Sequence, residues 1–96
     1  MDQEIALRQH VQKGDFVVVG TAPSYTDFQR IVAGLVGTSE LLVAREHRFH
    51  FCVEGNEALI IWFCDGALYQ RKMRLSTCLQ LLDCLEKSGF HCEDLN

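Results

Sequence analysis

Residues 48–73 read RFHFCVEGNEALIIWFCDGALYQRKM, and the two breaks inside this stretch decide the fold. Asp65-Gly66 stands between two runs rich in β-branched and aromatic residues. A two-residue hairpin loop of this kind needs positive φ at its centre, which Asp and Gly tolerate, so the dipeptide is a strong hairpin signal. Glu54-Gly55-Asn56-Glu57 supplies the second turn. The reading is an antiparallel meander of three strands, 48–53, 58–64 and 67–73. Side chains alternate along a strand, so the turns also set the faces. The two-residue loop sets Cys64 opposite Ala67, Trp62 opposite Tyr69 and Ala58 opposite Met73. A four-residue loop sets Val53 opposite Ala58 and Phe49 opposite Trp62. One face then carries Phe49, Phe51, Val53, Ile60, Trp62, Tyr69 and Met73, which is a full core face.

The other face is unusual. Leu59, Ile61 and Phe63 run along its centre, flanked by Arg48, His50 and Cys52 on one side and by Leu68, Gln70 and Lys72 on the other. A central strand that is apolar on both faces does not suit a sheet with one wet side. Three large side chains left in water would each forgo roughly 1.5–3 kcal/mol, so a cover is expected. The N-terminal segment, through Ile5, Leu7 and Val11, is one candidate cover. A protein partner is the other.

Upstream, Asp2 can cap a helix over 3–13 that stops at Gly14. Its apolar residues are few, which predicts a helix lying across a surface instead of anchoring the core. Asp15-Phe16-Val17-Val18-Val19 reads as a buried strand over 15–19. After the loop Gly20-Thr21-Ala22-Pro23, the residues Phe28, Ile31, Val32, Leu35 and Val36 recur at the spacing of one helical stripe, giving a helix over 24–36 that ends at Gly37. Leu41–Ala44 can form a further short strand. Downstream, Thr77-x-x-Gln80 fits a capping box, and Cys78, Leu81, Leu82 and Leu85 form the buried stripe of a helix over 76–88 stopped by Gly89. Phe90-His91-Cys92 can add a short edge strand. The expected architecture is a single α+β domain over 1–96, with helices 24–36 and 76–88 packed on the apolar face of the sheet and an additional N-terminal helix.

Composition narrows the functional classes. The chain has 96 residues, 48% of them hydrophobic, which is too apolar for a disordered chain. Nine Lys+Arg against thirteen Asp+Glu give a net charge of −4, which argues against a whole-surface grip on nucleic acid. No apolar run approaches the ~18 residues of a membrane span, and residues 1–15 lack an apolar signal core, so a cytoplasmic protein without membrane association is expected. The five cysteines, Cys52, Cys64, Cys78, Cys84 and Cys92, are odd in number and include no CxxC. This predicts a reducing compartment in which they act as small buried hydrophobes.

Chemistry-bearing motifs are sparse. A zinc reading would combine His50 and Cys52 with His91 and Cys92. Structural zinc ligands are usually presented with two to four residues between them, whereas these pairs have one and none. No metal site and no cofactor are therefore expected. Gly20-Thr21-Ala22-Pro23-Ser24 lacks the glycines and the Lys of a phosphate loop. No Cys–His pair carries a local catalytic signature. Arg45, Arg48, Arg71, Lys72 and Arg74, with His47 and His50, would lie together in the meander and suggest a single-stranded RNA surface as the alternative. One aromatic, Phe63, is not a stacking platform, and no RNP-type motif accompanies it.

The segment Leu81-Leu82-Asp83-Cys84-Leu85-Glu86-Lys87-Ser88-Gly89-Phe90 is similar to the helix-then-Gly-Phe segment of the GTP cyclohydrolase feedback regulatory protein and of related C-terminal domains of BTB/tetramerisation proteins, over ten of the 96 residues. The element order is also similar to that of the roadblock/longin scaffold subunits, from which this chain departs by lacking a hairpin before the second helix. Both resemblances imply an assembly or regulatory module without catalysis. The expectation is a non-enzymatic protein–protein interaction module, a small adaptor, regulatory or chaperone-like subunit. It would act as a homodimer or in a heteromeric complex through Leu59, Ile61 and Phe63, with Arg48, His50, Gln70 and Lys72 as a polar rim. The alternatives are RNA binding on the same face and a small enzyme with a reactive cysteine.

Overall fold

The structure, a computed structural model, describes residues 6–21, 46–64 and 67–93. Among them are five strands, a 3₁₀ helix and one α-helix. The strands are β1 (Asp15–Thr21), β2 (Glu46–Glu54), β3 (Glu57–Cys64), β4 (Ala67–Arg74) and β5 (His91–Cys92). They form one antiparallel sheet in the order β4-β3-β2-β1-β5. The 3₁₀ helix spans Leu7–Lys13 and the α-helix, α1, spans Leu75–Lys87. The α+β class is as expected. The helix anticipated over 24–36, the strand over 41–44 and the turn at Asp65-Gly66 lie outside the described residues.

The meander has the expected register: Phe49 pairs with Trp62, Val53 with Ala58, Trp62 with Tyr69 and Cys64 with Ala67. The strands run longer than expected, because Glu54 and Glu57 also pair and leave only Gly55-Asn56 as the loop. Gly55 sits at φ +63°, the left-handed conformation that a tight hairpin requires at its first position. A two-residue loop keeps the same face assignment as a four-residue one, since both differ from each other by an even number.

The core lies on the predicted face. Phe49, Phe51, Ala58, Ile60 and Trp62 are buried, with Val53, Tyr69 and Met73 packed against them. Aromatic rings step across the sheet, Phe49 to Trp62 at 5.7 Å and Trp62 to Tyr69 at 5.2 Å between centroids. Phe16 of β1 stacks on Phe51 at 5.1 Å. Such cross-strand pairs add to the stability that burial alone supplies. The indole N–H of Trp62 is buried without an acceptor among the described residues, an arrangement that offsets part of that gain by about 1–3 kcal/mol.

Helix α1 covers this face with Cys78, Leu81, Leu82 and Leu85, the predicted stripe. It begins at Leu75, two residues ahead of the expected Thr77 cap, and Arg74 at the N-cap makes no side-chain capping bond. Its start is tied down instead by tertiary structure, because the Leu75 N–H donates to the Asn56 carbonyl of the β2–β3 turn at 2.7 Å. Its end follows the sequence reading. Gly89 adopts φ +92°, the Gly89 N–H donates to the Glu86 carbonyl and the Phe90 N–H to the Leu85 carbonyl. This is the Schellman arrangement, in which Phe90 folds back onto Leu85 inside the core. The chain then continues into β5 at the outer edge of β1, the edge strand anticipated at 90–92.

The N-terminal segment departs from expectation. The helix read over 3–13 is a 3₁₀ helix over Leu7–Lys13, and residues 1–5 lie outside the described residues. It does not lie loosely on a surface. Leu7 is 3% exposed and belongs to the same core cluster as α1, with Val11 packed against it. The Leu7 N–H donates to the Glu86 carboxylate at 2.6 Å, and Arg8 pairs with Asp83 at 3.2 Å. Thin amphipathicity misled the reading: one leucine aligned beside α1 is enough to seat the segment on the core face, so Leu7 and Val11 are not a cover for the other face.

Candidate functional site

The second face of the sheet can now be laid out by register. One row joins Val17, His50, Ile61 and Gln70, and the next joins Asp15, Cys52, Leu59 and Lys72. Phe63 pairs with Leu68. Arg48 pairs with Val19 of β1. Register thus places Leu59, Ile61 and Phe63 on the central strand, with Arg48 and His50 on one neighbouring strand and Gln70 and Lys72 on the other. Leu59 and Ile61 are half-buried, and Leu68 at 56% is the most exposed large hydrophobic among the described residues. No described element packs over this face, since both helices belong to the opposite side.

Of the positive charges expected together, register keeps Arg48, Lys72 and Arg74 on the second face. Arg48 is held by Glu93 at 2.5 Å and lies 3.9 Å from Glu46. His47 points into the core, 2% exposed, with its ring 5.7 Å from Trp62. Arg71 pairs with Ile60 and so belongs to the helix-covered face, while Lys72 lies in the row next to it on the second face. Arg45 is outside the described residues.

The polar side chains that do converge are Asp15, His50 and Cys52. Asp15 opens β1 directly across from Cys52, and His50 is two residues along β2 on the same face. The Asp15 carboxylate hydrogen-bonds the His50 ring at Nε2. Cys52 Sγ lies 3.8 Å from that carboxylate oxygen and 3.8 Å from the same Nε2. All three candidate ligand atoms fall within 4.8 Å of one another. A groove of about 650 Å³ adjoins the cluster, lined by Asp15, Cys52, Leu59 and Lys72 among others.

The Cys52 thiol is pushed up from its ordinary value by burial, and further by the Asp15 charge and the hydrogen bond to it. A catalytic thiol needs the reverse. The geometry also differs from a nucleophile–base–carboxylate relay, in which the carboxylate holds one ring nitrogen and the nucleophile faces the other. Here both approach Nε2. Burial pushes the Cys78 thiol up to about 11, which makes it inert at neutral pH.

His91 and Cys92, the other half of the zinc set that the sequence spacing argued against, pair with Val19 and Val18 and therefore point to opposite faces. The four-residue set is not assembled. Asp15 is the residue that sequence reasoning missed: its partnership with Cys52 depends on β1–β2 pairing across residues 22–45, where no tight turn sets the register. No protein family, curated protein or solved structure matches the chain, so the α+β fold and these geometries carry the functional reading.

Proposed function

We propose that this protein is a non-enzymatic protein-interaction module that docks through the second face of its sheet, with a second copy of the chain as the occupant. The exposure of Leu68 beside the apolar row Leu59, Ile61 and Phe63 carries the reading. Strand β4 ends the described sheet, and Arg71, Lys72 and Arg74 along it oppose strand-to-strand addition at that edge. Among the described residues no element packs over the second face, which favours face-to-face docking. A two-fold axis near Ile61 would lay one central strip on another, with His50 and Gln70 closing the row on either side. Leu59 and Ile61 would then lose their remaining water contact, at about 25 cal/mol for each Å² of apolar surface removed.

The test is solution mass by light scattering across a tenfold range of protein concentration. Wild type should associate, and Ile61→Asp or Phe63→Asp should remain monomeric with unchanged helix content by circular dichroism. Unfolding of both variants would assign the strip to the core, and a wild type monomeric throughout would sink self-association in favour of a heteromeric partner. The runner-up, single-stranded RNA binding on this face, would appear as RNA affinity that falls steeply with salt, which apolar docking does not show. A small enzyme with a reactive cysteine would appear as one thiol titrating rapidly in the native state.

A further inference from the structure

We propose that Asp15, His50 and Cys52 form a binding site for a zinc ion, with a water molecule completing its coordination. Imidazole, thiolate and carboxylate are the three ligand types that zinc takes, and a mixed S, N and O set selects zinc or cobalt over magnesium and calcium. With zinc bonds of about 2.3 Å to sulfur and 2.0–2.2 Å to nitrogen and oxygen, tetrahedral geometry places sulfur about 3.5 Å from each of the other two atoms. The observed separations of Cys52 Sγ from Nε2 and from Oδ1 are both 3.8 Å. Side-chain rotations bring all three donors onto one ion, and the Asp15 carboxylate and the His50 ring, which touch in a direct hydrogen bond, must part by about 1 Å to admit it.

Convergence on a single ring nitrogen distinguishes this arrangement from a proton relay. One hydrogen at Nε2 can serve only one neighbour, whereas a cation at the common centre satisfies Oδ1, Nε2 and Sγ together. The donors stand on two paired strands, so backbone hydrogen bonds set their spacing. The Val53 N–H donates to the Gly14 carbonyl at 2.5 Å and ties the strand ends beside the site. Three protein ligands leave one position open, and Asp15 is exposed at the rim of the adjoining groove, which gives the ion and its water a path in.

The experiment uses the full chain, reduced and freed of metal, titrated with cobalt(II) alone. The expected result is a thiolate-to-cobalt charge-transfer band together with visible bands of tetrahedral intensity, saturating at one cobalt per chain and removed by zinc. Cys52→Ser should abolish the charge-transfer band, whereas Cys92→Ser should leave it intact. His50→Ala and Asp15→Asn should each weaken zinc binding at least tenfold in chelator competition, with circular dichroism unchanged. Absence of the band at excess cobalt overturns the proposal. So does a band that survives in Cys52→Ser, or zinc affinity that neither His50→Ala nor Asp15→Asn changes.

Discussion

Gly20 has no side chain because Phe90 occupies the space where one would be. A Cβ built on Gly20 would stand 2.6, 2.7 and 2.9 Å from three carbons of the Phe90 ring, against the ~3.5–4.0 Å at which carbon atoms normally rest. The ring cannot easily retreat. Phe90 is 3% exposed, its backbone N–H is held by the Leu85 carbonyl at 2.9 Å, and its ring packs 6.0 Å from Phe49. Forcing a methyl into such a site costs about 1–3 kcal/mol. Restricting the unfolded chain by Gly→Ala returns about 0.4–1 kcal/mol of that. Taking the middle of each range, Gly20→Ala should be less stable by about 1.3 kcal/mol, lowering the urea midpoint by about 1.3 M for a slope near 1 kcal/mol/M. Trp62 fluorescence reports the transition. In a Phe90→Ala background the three nearest ring atoms are gone, so adding Gly20→Ala there should cost much less, with a stabilising osmolyte present if the background is weak. A midpoint unchanged by Gly20→Ala, or an equal loss in both backgrounds, would refute the steric account.

Two further outcomes follow from the core. Leu7→Ala should cost about 2–5 kcal/mol, the range for a buried leucine, seen as a drop in Tm; a loss under about 1 kcal/mol would mean that the 3₁₀ helix is not anchored in the core. The Cys78 thiol is raised from 9.0 to about 11 by burial, so the folded state holds its proton more tightly than the unfolded chain. The associated stability is complete below pH 9.0 and is lost as pH rises through about 11. Cys78→Ala should flatten that decline relative to wild type in denaturant titrations at successive alkaline pH values, and identical profiles would contradict it.

The sheet meander was legible because its strands are joined by turns too short to permit another register. Between Glu54 and Glu57 only Gly55-Asn56 intervenes, so the facing of Phe49 on Trp62 and of His50 on Ile61 follows from counting residues. Helix α1 was legible from its stripe of Cys78, Leu81, Leu82 and Leu85 and from Gly89, the residue best able to adopt the left-handed conformation at its end. These are local rules, acting over a few residues where chain connectivity leaves little freedom. The Arg74 cap shows their limit, since a hydrogen bond from Leu75 to the distant Asn56 carbonyl moved the helix start.

Other features depended on contacts between segments far apart in the chain. Pairing of β1 with β2 across residues 22–45 brought Asp15 beside Cys52 and completed a three-donor cluster that spacing along the sequence does not display. Seating of Leu7 against α1, and of Phe90 over Gly20, likewise depends on how whole elements pack. The sequence by itself determined the faces of the meander and the stripe of the helix, because alternation and short turns are properties of the backbone. Tertiary structure alone decided which polar side chains meet, because a long connection closes with nearly the same entropy in many registers, and the packing of the apolar core selects one.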